Sequence, residues 1–410
     1  MRMRRAAVAV AVVAGGLMPA APAQARAFAC PDKQQVVAAP VSKAQPYEDK
    51  MFAPDRLAPF ATGAGVRVAV IDSGVDADHP QLDGQVSRGR DFLHGNADAR
   101  QDCVGHGTGV AGIIAARHVA SAGPRGLAPD ATIVPVRVSE QPDTDSPAGG
   151  PAPVAPGTFA EAIDWAASPS GGDADVINMS LVMTEPSDQV RAAVERATER
   201  GVVVVAAVGN RGGADAGNPT PYPASYPGVI GVGAIDAGGV RAGFSQRGDY
   251  VDVMAPGVDI TVAARRGGHT SGQGTSYAAP FVAATAALVK QRFPKATPAQ
   301  VARRILATTD PAPGGARSDE YGFGVVNPYR ALTETLGPEA PAAPAPKVVV
   351  TNDPAAVALT ARRARAQHLS LIVAAAGAGA MVLVVMVAAA VRQGRRRGWR
   401  PPTPPDPTSG

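Results

Sequence analysis

From about residue 65 to residue 332, short apolar runs rich in β-branched side chains alternate with helical patterns: VRVAVI, then GTGVAGIIAARHV, TIVPVRV, FAEAIDWAAS, ADVINMSL, DQVRAAVERATERG and VVVVAAV. Strands that are apolar at successive rather than alternate positions are buried on both faces, and the amphipathic helices between them supply the cover. The pattern predicts an α/β domain, a parallel sheet with helices on both faces. Residues 139–157 (SEQPDTDSPAGGPAPVAPG) break the alternation with Pro and Gly and read as a surface loop.

The two ends follow different rules. Residues 1–25 have a basic start (MRMRR), an apolar run and small residues ending in AQA, the three-part pattern of a secretory signal cut after Ala25. A lipoprotein reading through Cys30 is disfavoured because Phe28 stands where a small residue is usual. Residues 369–391 (LSLIVAAAGAGAMVLVVMVAAAV) are uncharged and long enough to cross a bilayer as one transmembrane helix. The RQGRRRGWR that follows belongs on the cytoplasmic side, which makes 392–410 a cytoplasmic tail and places the upstream region outside the cell membrane. Between domain and span, 336–368 is a linker that opens on a Pro-rich stretch (PEAPAAPAP) and acts as a semi-rigid stalk.

Composition sharpens this division. The chain has 410 residues, 45% of them hydrophobic, enough for one large domain at 61–335 behind an N-terminal extension at 26–60. The net charge of +4 raises the question of nucleic acid, but Arg2, Arg4 and Arg5 in the signal and the five arginines against one aspartate in the tail hold more than the whole surplus. Aromatics are only 4% and do not interleave with basic residues, so no nucleic-acid partner is expected. The two cysteines, Cys30 in the extension and Cys103 just before His106, are an even count in an exported chain and predict a disulfide that staples the extension beside that histidine.

Polar residues where strands end are the candidates for chemistry, because open α/β sheets bind ligands at the carboxyl ends of their strands. Asp72 closes VRVAVID, Asn210 closes VVVVAAVGN, and His106 opens GHGTGVAGIIA at a helix start. Each alone has a bland explanation: a cap or turn for Asp72, a turn residue for Asn210, a satisfied core histidine for His106. The fourth candidate, Ser276 in GQGTSYAAP, reads equally as a helix N-cap. Together they match what hydroxyl nucleophile chemistry requires. A base must take the serine proton, a carboxylate must orient that base, and a donor must receive the negative oxygen of the tetrahedral intermediate.

The order Asp, His, Ser within VIDSGVD, GHGTGVAGIIA, VINMSL, VVVVAAVGN and GTSYAAP resembles the subtilisin-like serine proteases over about two-thirds of the chain, ending near YGFGVVNPYRAL. The resemblance implies a subtilisin-like fold with Asp72 as the orienting carboxylate, His106 as general base, Ser276 as nucleophile and Asn210 as oxyanion donor. It also implies a substrate cleft walled by Ser180, Leu181 and Val182 on one side and Val208 and Gly209 on the other. The family often has Gly where Val182 stands, so a narrower pocket for small or slender side chains is expected. There is no acidic cluster with metal-ligand spacing, and neither calcium nor another cofactor is predicted.

Many secreted subtilases carry a folded prosegment between signal and protease, and the segment between Ala25 and the Asp72 strand is too short for one. It has no periodicity and reads as an extension wrapped over the protease. Signal, short extension, protease domain, stalk, single span and basic tail together are similar to the mycosins, membrane-anchored subtilases of actinobacterial type VII secretion systems. That resemblance implies an extracytoplasmic endopeptidase acting on polypeptides and stabilising the secretion membrane complex. A non-proteolytic scaffold and a general surface subtilase are the alternatives.

Overall fold

The computed structural model describes residues 30, 37–95, 98–140, 154–213, 216–313, 315–337, 389–393 and 396. The chain divides into two compact units, Met1–Val348 and Val349–Gly410. In the second, residues 389–393 are helical. The expected signal, most of the expected span and its stalk, and loop residues 141–153 lie outside the described residues. Among the described residues no helix is long and apolar enough to cross a membrane.

The first unit is organised by its sheet. Its strands are β1 (Arg67–Asp72), β2 (Arg90–Asp91), β3 (Thr132–Arg137), β4 (Val176–Met179), β5 (Val203–Ala207), β6 (Val229–Ile235), β7 (Val253–Pro256), the β8–β9 hairpin (Ile260–Ala263, His269–Gly272), β10 (Asp310–Pro311) and β11 (Gly324–Val325). All but the hairpin join one nine-stranded sheet in the order β10-β11-β7-β6-β5-β4-β1-β3-β2, in which every pairing except β10 with β11 is parallel. The central strands are buried at nearly every position, which explains the continuous apolar runs in the sequence. The chain runs from β1 to β3 on one side and returns to β4 on the other, so the strand order reverses at β1 and opens a crevice at its carboxyl end.

Helices α3 (His106–Ala115) and α6 (Thr275–Arg292) pack against each other and against the central strands. Helix α6 is apolar almost all round, the mark of a helix enclosed by the core rather than lying on it. Helices α4 (Pro156–Ala166) and α5 (Asp188–Glu199) pair with one another and touch β1, β3 and β5, while α7 (Pro298–Ala307) and α8 (Pro328–Thr333) close the domain.

The extension forms two helices that the sequence pattern did not predict, α1 (Tyr47–Phe52) and α2 (Pro54–Leu57). Six and four residues are too few to show a helical period, and tertiary contacts hold them. The Phe52 ring lies 5.3 Å from that of Phe281 on α6, and the Tyr47 hydroxyl donates to the Val258 carbonyl at 2.8 Å. Glu48 accepts from the Thr261 N–H at 2.8 Å, so the polar side of α1 is turned inward as well.

Candidate active site

Parallel strands deliver Asp72 at the end of β1 and Asn210 just past the end of β5, and the first turns of α3 and α6 deliver His106 and Ser276. The imidazole Nδ1 lies 2.8 Å from Asp72 Oδ1 and 2.9 Å from Oδ2, and Nε2 lies 3.0 Å from Ser276 Oγ. A carboxylate can only accept, so Nδ1 carries the proton and Nε2 is left as the acceptor for the serine hydroxyl. Asp72 is sealed from water while His106 keeps 11% of its side chain exposed.

The N-cap explanation of Ser276 does not hold in place. Helix α6 is capped by Gly274 and begins at Thr275, so Ser276 is already its second residue and caps nothing. Pro280 is the sixth helical residue rather than part of the first turn, and its missing N–H would have bonded the Ser276 carbonyl. That carbonyl accepts instead from Ser180 Oγ at 2.7 Å, and Ser180 Oγ accepts from Asn178 Nδ2 at 2.9 Å. Ser180, expected as a wall of the substrate cleft, therefore also ties β4 to the backbone of the serine.

Asn210 is oriented by a residue the sequence reading passed over. Its Oδ1 accepts from the Thr275 N–H at 2.8 Å and the Thr275 hydroxyl at 3.0 Å, and that hydroxyl accepts from the Gly209 N–H at 3.0 Å. With the amide oxygen fixed on α6, the NH₂ must point the other way. A Cβ on Gly274 would sit 3.0 Å from Ser276 Oγ and 3.2 Å from Asn210 Nδ2, so glycine here leaves open the space between hydroxyl and amide. The Ser276 N–H, one of the first in α6, completes a pair of donors around that space.

Leu181 and Val182 are nearly buried where they follow β4. Val208, expected on the opposite wall, is fully buried, its amide bonded to the Val232 carbonyl of β6 at 3.1 Å. Gly209 beside it takes a left-handed φ of 94° and would collide with Gln246 if it bore a side chain.

A second aspartate supports the constellation. Asp102, buried, accepts from Ser73 Oγ at 3.0 Å, from the N–H groups of Val104 at 3.0 Å, Gly105 at 2.7 Å and Thr108 at 2.9 Å, and from Thr108 Oγ1 at 2.7 Å. Burial raises its pKa, and these donors pull it back. Ser73 in turn accepts from the Gly107 N–H at 3.0 Å and donates its own N–H to Asp72 Oδ1 at 2.7 Å. The spacing D-x-x-G before His106, an Asx-turn signature, is the signal that could have pointed to Asp102. Behind Ser73, fully buried Arg137 donates to the Ser73 carbonyl at 3.0 Å and pairs with Asp91 at 2.5 Å.

Cys30 and Cys103 are bonded, with Cα atoms 5.3 Å apart. The bond joins the extension to the loop entering α3, and closing so long a loop stabilises by on the order of 4 kcal/mol in the chain-entropy model. Among the described residues no group of three or more His, Cys, Asp or Glu is arranged to hold a metal ion.

A carboxylate, an imidazole and a hydroxyl in one hydrogen-bonded line, with amide donors beside the hydroxyl, form the constellation that defines serine hydrolases of α/β construction. The chain belongs to the subtilase family, whose model matches residues 63–324. It is 40% identical over 266 residues to subtilisin E of Bacillus subtilis (strain 168), covering 65% of this chain and 65% of that one. The chain thus spans just under two-thirds of the length of that relative. Mycosin-1 of Mycobacterium tuberculosis is 37% identical over 330 residues, covering 70% of this chain and 72% of its own. Among solved structures, MycP1 from the ESX-1 type VII secretion system superposes with a TM-score of 0.65 at 31% identity, over 76% of this chain and 92% of that one. MycP1 from Mycobacterium smegmatis gives a TM-score of 0.63 at 30% identity, over 78% of this chain and 93% of that one.

Proposed function

We propose that the protein is a serine endopeptidase in which Ser276 is the nucleophile, His106 the general base and acid, Asp72 the orienting carboxylate and Asn210 an oxyanion donor. The observation that carries the reading is the unbroken line from Asp72 through both imidazole nitrogens to Ser276 Oγ. Ser276 Oγ attacks the scissile carbonyl carbon as His106 Nε2 takes its proton. The carbonyl oxygen, now negative, is received by Asn210 Nδ2 and the Ser276 N–H, while Asp72 stabilises the imidazolium. Collapse breaks the C–N bond, and Nε2 gives the proton to the leaving amine. Water then repeats the sequence on the acyl-enzyme, releasing the new carboxyl end and restoring the serine. Ser180, Leu181, Val182, Val208 and Gly209 bound the acyl side of the cleft and favour small or slender side chains before the cut.

In the cell the reading is a mycosin: exported by 1–25, anchored by a single span at 369–391 with its domain outside and tail inside, cleaving secreted proteins and stabilising a type VII secretion membrane complex. Its support is the similarity to mycosin-1 and to MycP1 from a type VII secretion system, together with the uncharged stretch and its basic flank. A fluorophosphonate probe tests the chemistry. The full chain should be labelled, Ser276→Ala should abolish labelling without unfolding the protein, and Asn210→Ala should slow peptide turnover about 10²- to 10³-fold, the range measured for this donor in subtilisin. Equal labelling of wild type and Ser276→Ala would end the assignment.

A further inference from the structure

Two loops reach the crevice separately and must meet for the line from Asp72 to Ser276 to close. One is the turn after β1, Ser73 and Gly74; the other runs from Gln101 to Gly105 and leads into α3. Arg137 stands against both. It ends β3, in register with Asp72 of β1 on one side and with Asp91 of β2 on the other. Register partners in parallel strands send their side chains to the same face, so the three ionisable side chains form a row across the carboxyl end of the sheet.

Burying an ion pair is costly, and an apolar side chain at this strand end would spare that cost. What the arginine adds is a planar fork. Its Nε donates to the Ser73 carbonyl at 3.0 Å, Nη1 to Asp91 Oδ2 at 2.5 Å, and Nη2 to the Gln101 carbonyl. Asp91 is itself buried and Glu140 lies 4.0 Å away, so the charge is answered locally. The two carbonyls are the informative partners. Ser73 donates its N–H to Asp72 Oδ1 and its hydroxyl to Asp102 Oδ1, and Gln101 immediately precedes Asp102. Gly74 shows how closely the loops approach: its φ is 97°, and a Cβ there would collide with the Gln101 carbonyl and stand 3.0 Å from Nη2.

We propose that Arg137 is a positioning residue for the hydrolysis: by clamping the Ser73 and Gln101 carbonyls on one rigid group it holds the Asp72 carboxylate on His106 Nδ1. The inference rests on the catalytic reading above. Both Asp72 oxygens lie within 2.9 Å of Nδ1, and the Ser73 N–H fixes one of them. Because the Ser73 peptide follows Asp72 and the Gln101 carbonyl adjoins the turn that carries His106, a guanidinium bonded to both sets the distance between carboxylate and base.

Arg137→Lys separates the fork from the charge. An ammonium can still face Asp91, but one nitrogen cannot reach Asp91, Ser73 and Gln101 together. Turnover of a peptide ester by the full-length protein should lose on the order of ten- to a hundredfold in kcat, the cost of a small misplacement of reacting groups, with KM nearly unchanged. The acid limb of the kcat/KM profile should move to lower pH, because an imidazolium less well held by Asp72 gives up its proton more readily. Fluorophosphonate labelling carried to completion counts the folded sites, so lost protein is not mistaken for lost rate. Arg137→Gln combined with Asp91→Asn leaves neither charge of the pair buried and should reproduce both changes. Asp91→Asn alone keeps the two carbonyl bonds but leaves the guanidinium without its nearest counter-charge, so it should lower Tm while keeping kcat. A lysine variant or a neutral pair with the kcat and acid limb of the wild type overturns the proposal, and so does an equal loss of kcat in Asp91→Asn. Absence of labelling in the wild type would instead overturn the catalytic reading, and the clamp with it.

Discussion

Asp72 and Asp102 are both all but closed to water, and Ser73 hydrogen-bonds to each. They differ in where their lone pairs go. Asp72 spends its oxygens on the imidazole and one backbone N–H; Asp102 spends both on five donors of its own loop and neighbours, none of them a reacting group. Burial alone therefore does not tell the two apart. The partner does: one aspartate holds the imidazole of His106, the other holds the loop that leads into α3.

Asp72→Asn should break the comparison most strongly. An amide nitrogen facing Nδ1 favours the tautomer protonated on Nε2, which can no longer accept the serine proton. Turnover of a peptide ester should fall about 10⁴-fold with little change in Tm. A loss below tenfold would show that the carboxylate does not orient the ring. Asp102→Asn should do the reverse. One oxygen replaced by NH₂ puts donor against donor in a buried turn, at about 1–3 kcal/mol for each group left unpaired, or roughly 3–10 °C in Tm for a domain of this size. Its turnover, measured below the melting range, should fall by no more than about tenfold. If the two variants lose activity equally, the division of labour is refuted.

A third buried aspartate sharpens the contrast with a smaller effect. Asp49 on α1 has an Oδ2 without a partner among the described residues, and burial, then the neighbouring Glu48, push its pKa up to about 7. Since that value lies above the ordinary carboxylate range, its contribution to stability is complete below about pH 4 and is lost as pH rises toward 7. His269 nearby works in the opposite sense: burial and His79 depress it to about 4, so its contribution is present above the ordinary histidine pKa and is lost as pH falls through 4. Asp49→Asn should remove the first term alone. The Tm of the variant minus that of the wild type, followed by calorimetry, should rise steadily from pH 4.5 to 6.5; a constant difference would show that Asp49 is ionised throughout.

The sheet was legible in the sequence because its strands are covered on both sides and carry no polar alternation to confuse the pattern. Asp72, His106 and Asn210 stood out because each interrupts such an apolar run or opens the helix after it. Ser276 was visible through its glycines, but the reason Pro280 can follow it was not. The carbonyl that this proline leaves unpaired is satisfied by Ser180, a residue 96 positions away that local pattern cannot connect. Thr275 and Ser73 were hidden for a similar cause: a hydroxyl beside a candidate residue looks the same whether it faces water or orients an amide. The inward turn of Glu48 and Asp49 was least legible, since a six-residue helix within an aperiodic extension is too short to show which of its sides faces the protease.

The bond between Cys30 and Cys103 encloses Asp72 and the whole of β1 within a covalent ring. A proteolytic nick anywhere between those cysteines would open that ring without releasing either piece. The segment carrying Cys30 would remain attached to the loop beside His106 until the bond was reduced. On a denaturing gel such a cut molecule would migrate as one species without reductant and as two with it, so a cut inside the ring would not by itself release the segment that carries Cys30.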